Sequence, residues 1–173
     1  MTFLFYRHDL ASERPQAPVL PEGMTIALWK PATDGFPPRR SSTVRNVAWW
    51  GLDRLGMFAR GDFTEVSIWR GERLLHRLIV TPRWHRFPFM DRSDLQLGDL
   101  WTDPDQRGKG LARLAVRHVH HRFSGHEGRI WYVVDQDNRA SVGLIESCGY
   151  GLVGRGRRTS RLGIRVLGQF RMD

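Results

Sequence analysis

Arg107-Gly108-Lys109-Gly110-Leu111-Ala112 is built like an anion cradle. Its glycines let the backbone approach a ligand closely and take turn conformations closed to other residues. The run lies between a strand-like segment, Leu95 to Thr102, and an amphipathic one, Gly110 to Phe123. If the latter is a helix, its first N–H groups are unpaired and carry the positive end of the macrodipole, a ready seat for a pyrophosphate. Arg107 and Lys109 add charge. The run is not a Walker loop, because neither Ser nor Thr follows Lys109. It is not a dinucleotide fingerprint either, since the three-glycine spacing is absent.

The elements that must hold this cradle can be read from periodicity. Leu111, Leu114, Ala115, Val119 and Phe123 fall on one face of a helix over 110–123. Ile130 to Val134 reads as a buried strand. Ala140 to Ser147 reads as a short helix stopped by Gly149. Upstream, Thr2 to Arg7 and Met24 to Trp29 read as strands, joined by a proline-bearing loop over 11–23. Ser41, Ser42 and Thr43 offer N-caps for a helix over roughly 43–58. Thr64 to Trp69 and Leu74 to Val80 form a hairpin about Arg70-Gly71-Glu72. Strands over about 150–157 and 161–170 close the chain. Residues 82–93 are irregular and carry Trp84, His85, Phe87, Phe89 and Met90. They suit either a ligand wall or a satellite cluster packed under the sheet. The whole is an α/β chain with a mixed sheet rather than a regular βαβ repeat, in a single domain over 1–173.

Composition narrows the class. Of 173 residues 40% are hydrophobic, with seven Trp and nine Phe, which excludes a disordered tail. Cys148 is the only cysteine, so there is no intrachain disulfide. No stretch has the apolar length of a bilayer span, and the apolar start meets Arg7, His8 and Asp9 too soon for a signal-peptide core. A cytoplasmic protein is expected. The formal charge of +9 attracts anions. Apart from Lys30 and Lys109 the basic residues are all arginine, densest at Arg155, Arg157, Arg158, Arg161 and Arg165. They match no RNA or DNA module, so a nucleic-acid partner is not expected. His118 and His121 share a helix face but lack a cysteine or carboxylate at a metal-site spacing. No metal is expected, and the histidines read as an exposed polar face.

A second signature follows the cradle by about thirty residues: Asn138-Arg139-Ala140-Ser141-Val142-Gly143-Leu144-Ile145-Glu146-Ser147-Cys148-Gly149-Tyr150. With it, the chain resembles the GNAT acetyltransferases. Arg107, Gly110 and Ala112 match that family's Arg/Gln-x-x-Gly-x-Gly/Ala motif, Asp103-Pro104-Asp105 resembles its lead-in, and the second run resembles its Asn–helix–Gly-aromatic signature. The resemblance is firm over 94–158 and looser over 22–81. It implies a twisted mixed sheet of about six to seven strands flanked by helices. The strands at 94–102 and 130–134 would run parallel and splay apart.

Acetyl-coenzyme A would then enter the wedge as co-substrate. Its pantetheine would pair with the backbone of Leu100, Trp101 and Thr102, and its pyrophosphate with the amides from Gly108 through Lys109, Gly110 and Leu111 to Ala112. Asn138 and Ser141 would contact the coenzyme from the second signature. Many relatives carry a tyrosine acid where this chain has Ile145, which puts the proton donor to the leaving thiolate in doubt. For a base, the residues offer Asp94, Asp99 and Glu65, with His76, His85 and Tyr132 behind them. Strict alternation places Asp94 and Asp99 on opposite faces of one strand.

Three functions fit. The first is transfer of an acetyl group to a small amine, by direct attack in a ternary complex, in a pocket walled by 82–93 and the first helix. The second is acetylation of a protein N-terminus or lysine. The third is nonenzymatic binding of acyl-CoA or nucleic acid. Phe87-Pro88-Phe89-Met90 and the wider chain also resemble GNAT proteins associated with surface-polysaccharide synthesis, which implies an amino-sugar acceptor, free or nucleotide-linked. Exposed aromatics and sheet edges would suit a homodimer.

Overall fold

The computed structural model describes residues 1–10, 15–37, 44–58, 63–160 and 168–173. Strands β1 (Thr2–Asp9) and β2 (Met24–Trp29) are followed by helices α1 (Pro31–Asp34) and α2 (Val44–Arg54). Next come β3 (Thr64–Arg70), β4 (Arg73–Pro82) and β5 (Leu95–Thr102), then a short 3₁₀ turn over Pro104–Gln106. Helix α3 (Leu111–Arg122), β6 (Arg129–Asp135), α4 (Arg139–Ser147), β7 (Gly151–Arg158) and β8 (Phe170–Met172) complete the chain. Ser41, Ser42, Thr43, Arg161 and Arg165 lie outside the described residues.

The eight strands form one mixed sheet in the order β2-β3-β4-β5-β6-β1-β7-β8, one strand more than the sequence reading allowed. β1 lies between β6 and β7, antiparallel to both. Its Leu4, Phe5 and Tyr6 are buried. The Tyr6 hydroxyl donates to Glu146 Oε1 of α4 at 2.8 Å. Burial, reinforced by that carboxylate, pushes its pKa up to about 12.

One sheet face packs against α3. There Val66, Ile68, Leu78, Val80, Leu97 and Ile130 meet Leu111, Ala115, Val116 and Val119. Each of the valine, leucine and isoleucine side chains among them contributes about 1.5–3 kcal/mol when fully buried. Four apolar positions at helical spacing thus bind α3 down its length and fix where its N-terminus falls. The other face gathers Trp29, Phe58, Phe63, Ile79, Trp84, Phe87, Met90 and Trp131. The aromatic segment over 82–93 is therefore a satellite core. Trp84 is 8%, Phe87 5% and Met90 2% exposed, and Phe89 meets Phe5 and Trp131 edge-on.

Gly149 ends α4 as the glycine signal requires. Its φ is +83°, its N–H reaches Glu146 O, and Tyr150 N–H reaches Ile145 O, closing a Schellman motif. The histidines of α3 are not an exposed face. His120 stacks on His8 at 4.0 Å and bonds Tyr150, while His121 bonds Pro15 O. Burial, with His8 adding repulsion, lowers the His120 pKa to about 4. Among the described residues no group of His, Cys, Asp or Glu is arranged to hold a metal. No described helix is long and apolar enough to cross a membrane.

Candidate functional site

β5 and β6 run parallel through only three register pairs, Leu95 with Ile130, Gln96 with Trp131 and Leu97 with Tyr132. Beyond Leu97 they part. On its other edge β5 stays paired with β4, but its register shifts: Gly98 faces Ile79 and Trp101 faces Arg77. Asp99 and Leu100 thus stand opposite the single residue Leu78, a β-bulge. Asp99 has φ +56°, the left-handed region. The bulge bends the strand away and leaves one edge of Leu100–Thr102 without a strand partner among the described residues.

This splay opens a cleft of about 780 Å³, a volume suited to a cofactor-sized ligand. Its walls are Leu100, Trp101 and Thr102 of β5, Gln106 to Gly108 of the loop, Gly110 to Arg113 at the start of α3, and Asn138, Ala140, Ser141, Gly143 and Leu144 of α4. Every residue that the sequence reading assigned to the coenzyme lines it except Lys109, whose Nζ donates to Gln106 Oε1 at 3.4 Å. Gln106 and Arg113, which adjoin the first motif, escaped the sequence reading, and Ala140, Gly143 and Leu144 of the second signature were given no contact there.

The cradle keeps its amides open. Gly110 is the N-cap of α3, at φ +80°, and no side chain among the described residues caps the helix. Gly108 has φ +73°. A Cβ at either glycine would meet nothing within 4 Å. Backbone conformation, rather than crowding, therefore demands glycine at both positions. Unpaired donors at a helix start are of the kind that can receive an anion. Arg107 Nε donates to Thr102 O at 3.4 Å. Asn138 caps α4, its Oδ1 accepting from Ser141 N at 3.1 Å. The Ser141 side chain in turn hydrogen-bonds Tyr132, whose pKa is raised by burial and only partly relieved by that bond.

A clamp missed in the sequence fixes the loop. Arg73, at the start of β4, donates through Nε and Nη2 to both Asp103 oxygens at 2.9 and 3.0 Å, and through Nη2 to Asp105 at 2.8 Å. Against the upward push of its burial, the guanidinium and the Asp105 N–H hold the Asp103 carboxyl below the usual carboxylate range. The Asp103-Pro104-Asp105 run is thus a fork receptor that aims the glycine loop. Arg73→Ala is expected to weaken coenzyme binding about fivefold, the scale of a partly exposed ion-pair network, with unchanged global melting. Calorimetry and thermal denaturation would check both, and equal affinity would remove the clamp from the site.

The carboxylates separate. Asp94 is 2% exposed and accepts from Asp91 N at 2.9 Å, Arg129 N at 3.0 Å and Trp131 Nε1 at 2.7 Å. It braces the opening of β5 against β6, at the end away from the cleft. Glu65 is 3% exposed and accepts from Asn46 Nδ2 of α2 at 2.8 Å. Glu65 pairs with Ile79, which pairs with Gly98, so it stands two strands from the bulge. Asp99 is half-buried beside Leu100 of the cleft wall. The bulge also ends the alternation on which the opposite-face argument rested. Ile145 is fully buried in the core and can supply no proton. The 82–93 aromatics do not line the cleft.

The acetyltransferase (GNAT) family model matches residues 27–150. The chain belongs to that family. Its members are acyltransferases, and the fold agrees. A GCN5-related N-acetyltransferase from Sphaerobacter thermophilus superposes with a TM-score of 0.59 at 18% identity, over 89% of this chain and 49% of that one. A tandem GNAT protein from the clavulanic acid biosynthesis pathway gives 0.58 at 14% identity, over 89% and 50%. AAC(6')-Iy, solved with the bisubstrate analogue CoA-S-monomethyl-acetylneamine, gives 0.56 at 11% identity, over 80% and 97%. This GNAT chain thus spans about half the length of the first two structures. No curated protein matches the sequence.

Proposed function

We propose that the cleft binds acetyl-coenzyme A and that the chain moves the acetyl group to a primary amine of a small molecule, by direct attack in a ternary complex. One observation carries this reading: the splayed edge of β5, the uncapped start of α3 and the Asn-capped start of α4 converge on a single cleft. The edge at Leu100–Thr102 would pair with the pantetheine amides. The amides from Gly108 to Ala112 would hold the pyrophosphate, with Arg107 adding charge. Asn138 and Ser141 would close the pantetheine arm from α4.

For the base we take Asp99, the neighbour of Leu100 of the cleft wall, because Asp94 stands at the far end of β5 against β6 and Glu65 stands two strands away. A backbone N–H on the bulged strand would stabilise the oxyanion. The acceptor we favour is an amino sugar. The sequence resemblance implies one, and AAC(6')-Iy, whose whole fold this chain covers, was solved with an acceptor joined to coenzyme A. Calorimetry should give acetyl-CoA binding tighter than about 0.1 mM, near −5.5 kcal/mol. Amino-sugar amines should then release free coenzyme A thiol. Absence of binding heat would overturn the reading; binding with turnover only on peptides would overturn the acceptor.

A further inference from the structure

His76 has no place in the reading above, yet it is fully buried and touches the cleft wall through one atom. It lies on β4 directly opposite Thr102 of β5. Its Nδ1 is 2.8 Å from Thr102 Oγ1, and Thr102 lines the cleft. Its Nε2 is buried without a hydrogen-bond partner among the described residues. Burial lowers the ring's pKa to about 4, so the imidazole is neutral at physiological pH.

A neutral imidazole carries one N–H, and its place decides what Thr102 can do. With the proton on Nε2, a buried N–H has no acceptor, and the Thr102 hydroxyl must spend its own hydrogen on Nδ1. The cleft would then see only hydroxyl lone pairs. With the proton on Nδ1, the ring donates to Oγ1 and a bare nitrogen is left in the core. A buried orphan donor is the less tolerated of the two orphans. The second arrangement also frees the Thr102 hydrogen. A nucleophile–base reading of the pair does not follow, because the ring is a feeble base and nothing orients its far nitrogen.

We propose that His76 is a positioning residue: its Nδ1–H donates to Thr102 Oγ1 and turns the hydroxyl hydrogen into the cleft, toward an acceptor oxygen of bound acyl-coenzyme A. This rests on the coenzyme reading of the cleft. It gives β4 a part in ligand binding without a β4 side chain entering the cleft.

The tautomer can be read directly, by ¹⁵N–¹H correlation on protein labelled at histidine. The expected spectrum shows His76 protonated at Nδ1 and unchanged between about pH 5.5 and 8. Protonation at Nε2, or titration inside that range, overturns the inference. Calorimetry supplies the second arm. Thr102→Val should weaken acetyl-CoA binding about tenfold. His76→Phe should weaken it in the Thr102 background and add nothing in the Thr102→Val background. His76→Asn, which can set an amide N–H where Nδ1–H stood, should recover most of the loss. Equal losses from His76→Phe in both backgrounds would make His76 a core residue only. No binding by the unsubstituted protein would overturn the cleft reading and this inference with it. Binding with uncoupled variants would overturn this inference alone.

Discussion

Gly110→Glu is expected to abolish acetyl-coenzyme A binding while the protein stays folded. Gly110 is the N-cap of α3 at φ +80°. A side chain there costs roughly 1–2 kcal/mol of left-handed strain. The added atoms enter open space, and a carboxylate at a helix N-terminus is itself favourable. The fold should therefore survive. The binding site should not, because the carboxylate would take the amides that a pyrophosphate needs and would repel its charge. The expected loss exceeds about hundredfold, or 2.7 kcal/mol. Gly110→Ala separates the two effects: it carries the strain without the charge and should cost no more than about tenfold. Calorimetry on both, with thermal melting as the control for folding, decides the matter. Undiminished affinity in the glutamate variant would remove the cradle from coenzyme binding.

Much of this site could be read in the sequence, because local signals position it. Leu111, Ala115 and Val119 at helical spacing placed α3, and Gly108 and Gly110 marked the turn before it. Asn138 and Gly149 bracketed α4 through cap chemistry that acts within a few residues. What escaped depends on pairing between distant segments. Gly98 interrupts the strand pattern beside Asp99, but the left-handed residue is the aspartate rather than the glycine, and the register shift exists only against β4. Arg73 finds Asp103 thirty residues away. The place of β1 between β6 and β7 likewise follows from long-range registers. The 82–93 aromatics had two readings because loop composition is the same above a ligand as above a core. Only the packing of Trp84, Phe87 and Met90 separates the two.

Asp94 and Asp99 should answer the same substitution in opposite ways. Asp94→Asn puts an amide NH₂ where an oxygen now accepts from N–H donors. Trp131 Nε1 and Asp91 N converge on Oδ2, and Arg129 N on Oδ1. Either orientation of the new amide sets donor against donor in a site 2% exposed. A loss of about 3 kcal/mol is expected. For a chain of this size that is a fall of roughly 6–12 °C in melting temperature. Catalysis per folded molecule should hold, since the brace stands at the far end of β5. Asp99→Asn should do the reverse. Asparagine tolerates the left-handed conformation as well as aspartate does, so melting should fall by much less than in the Asp94 variant. Coenzyme affinity should be unchanged and kcat should fall at least about tenfold, as for the loss of a general base. Full activity in the Asp99 variant would clear it of that role and turn the search to Glu65. An unshifted melting curve in the Asp94 variant would mean that the three N–H bonds at the root of β5 do not hold the strand, and that the splay beginning three residues later needs another cause.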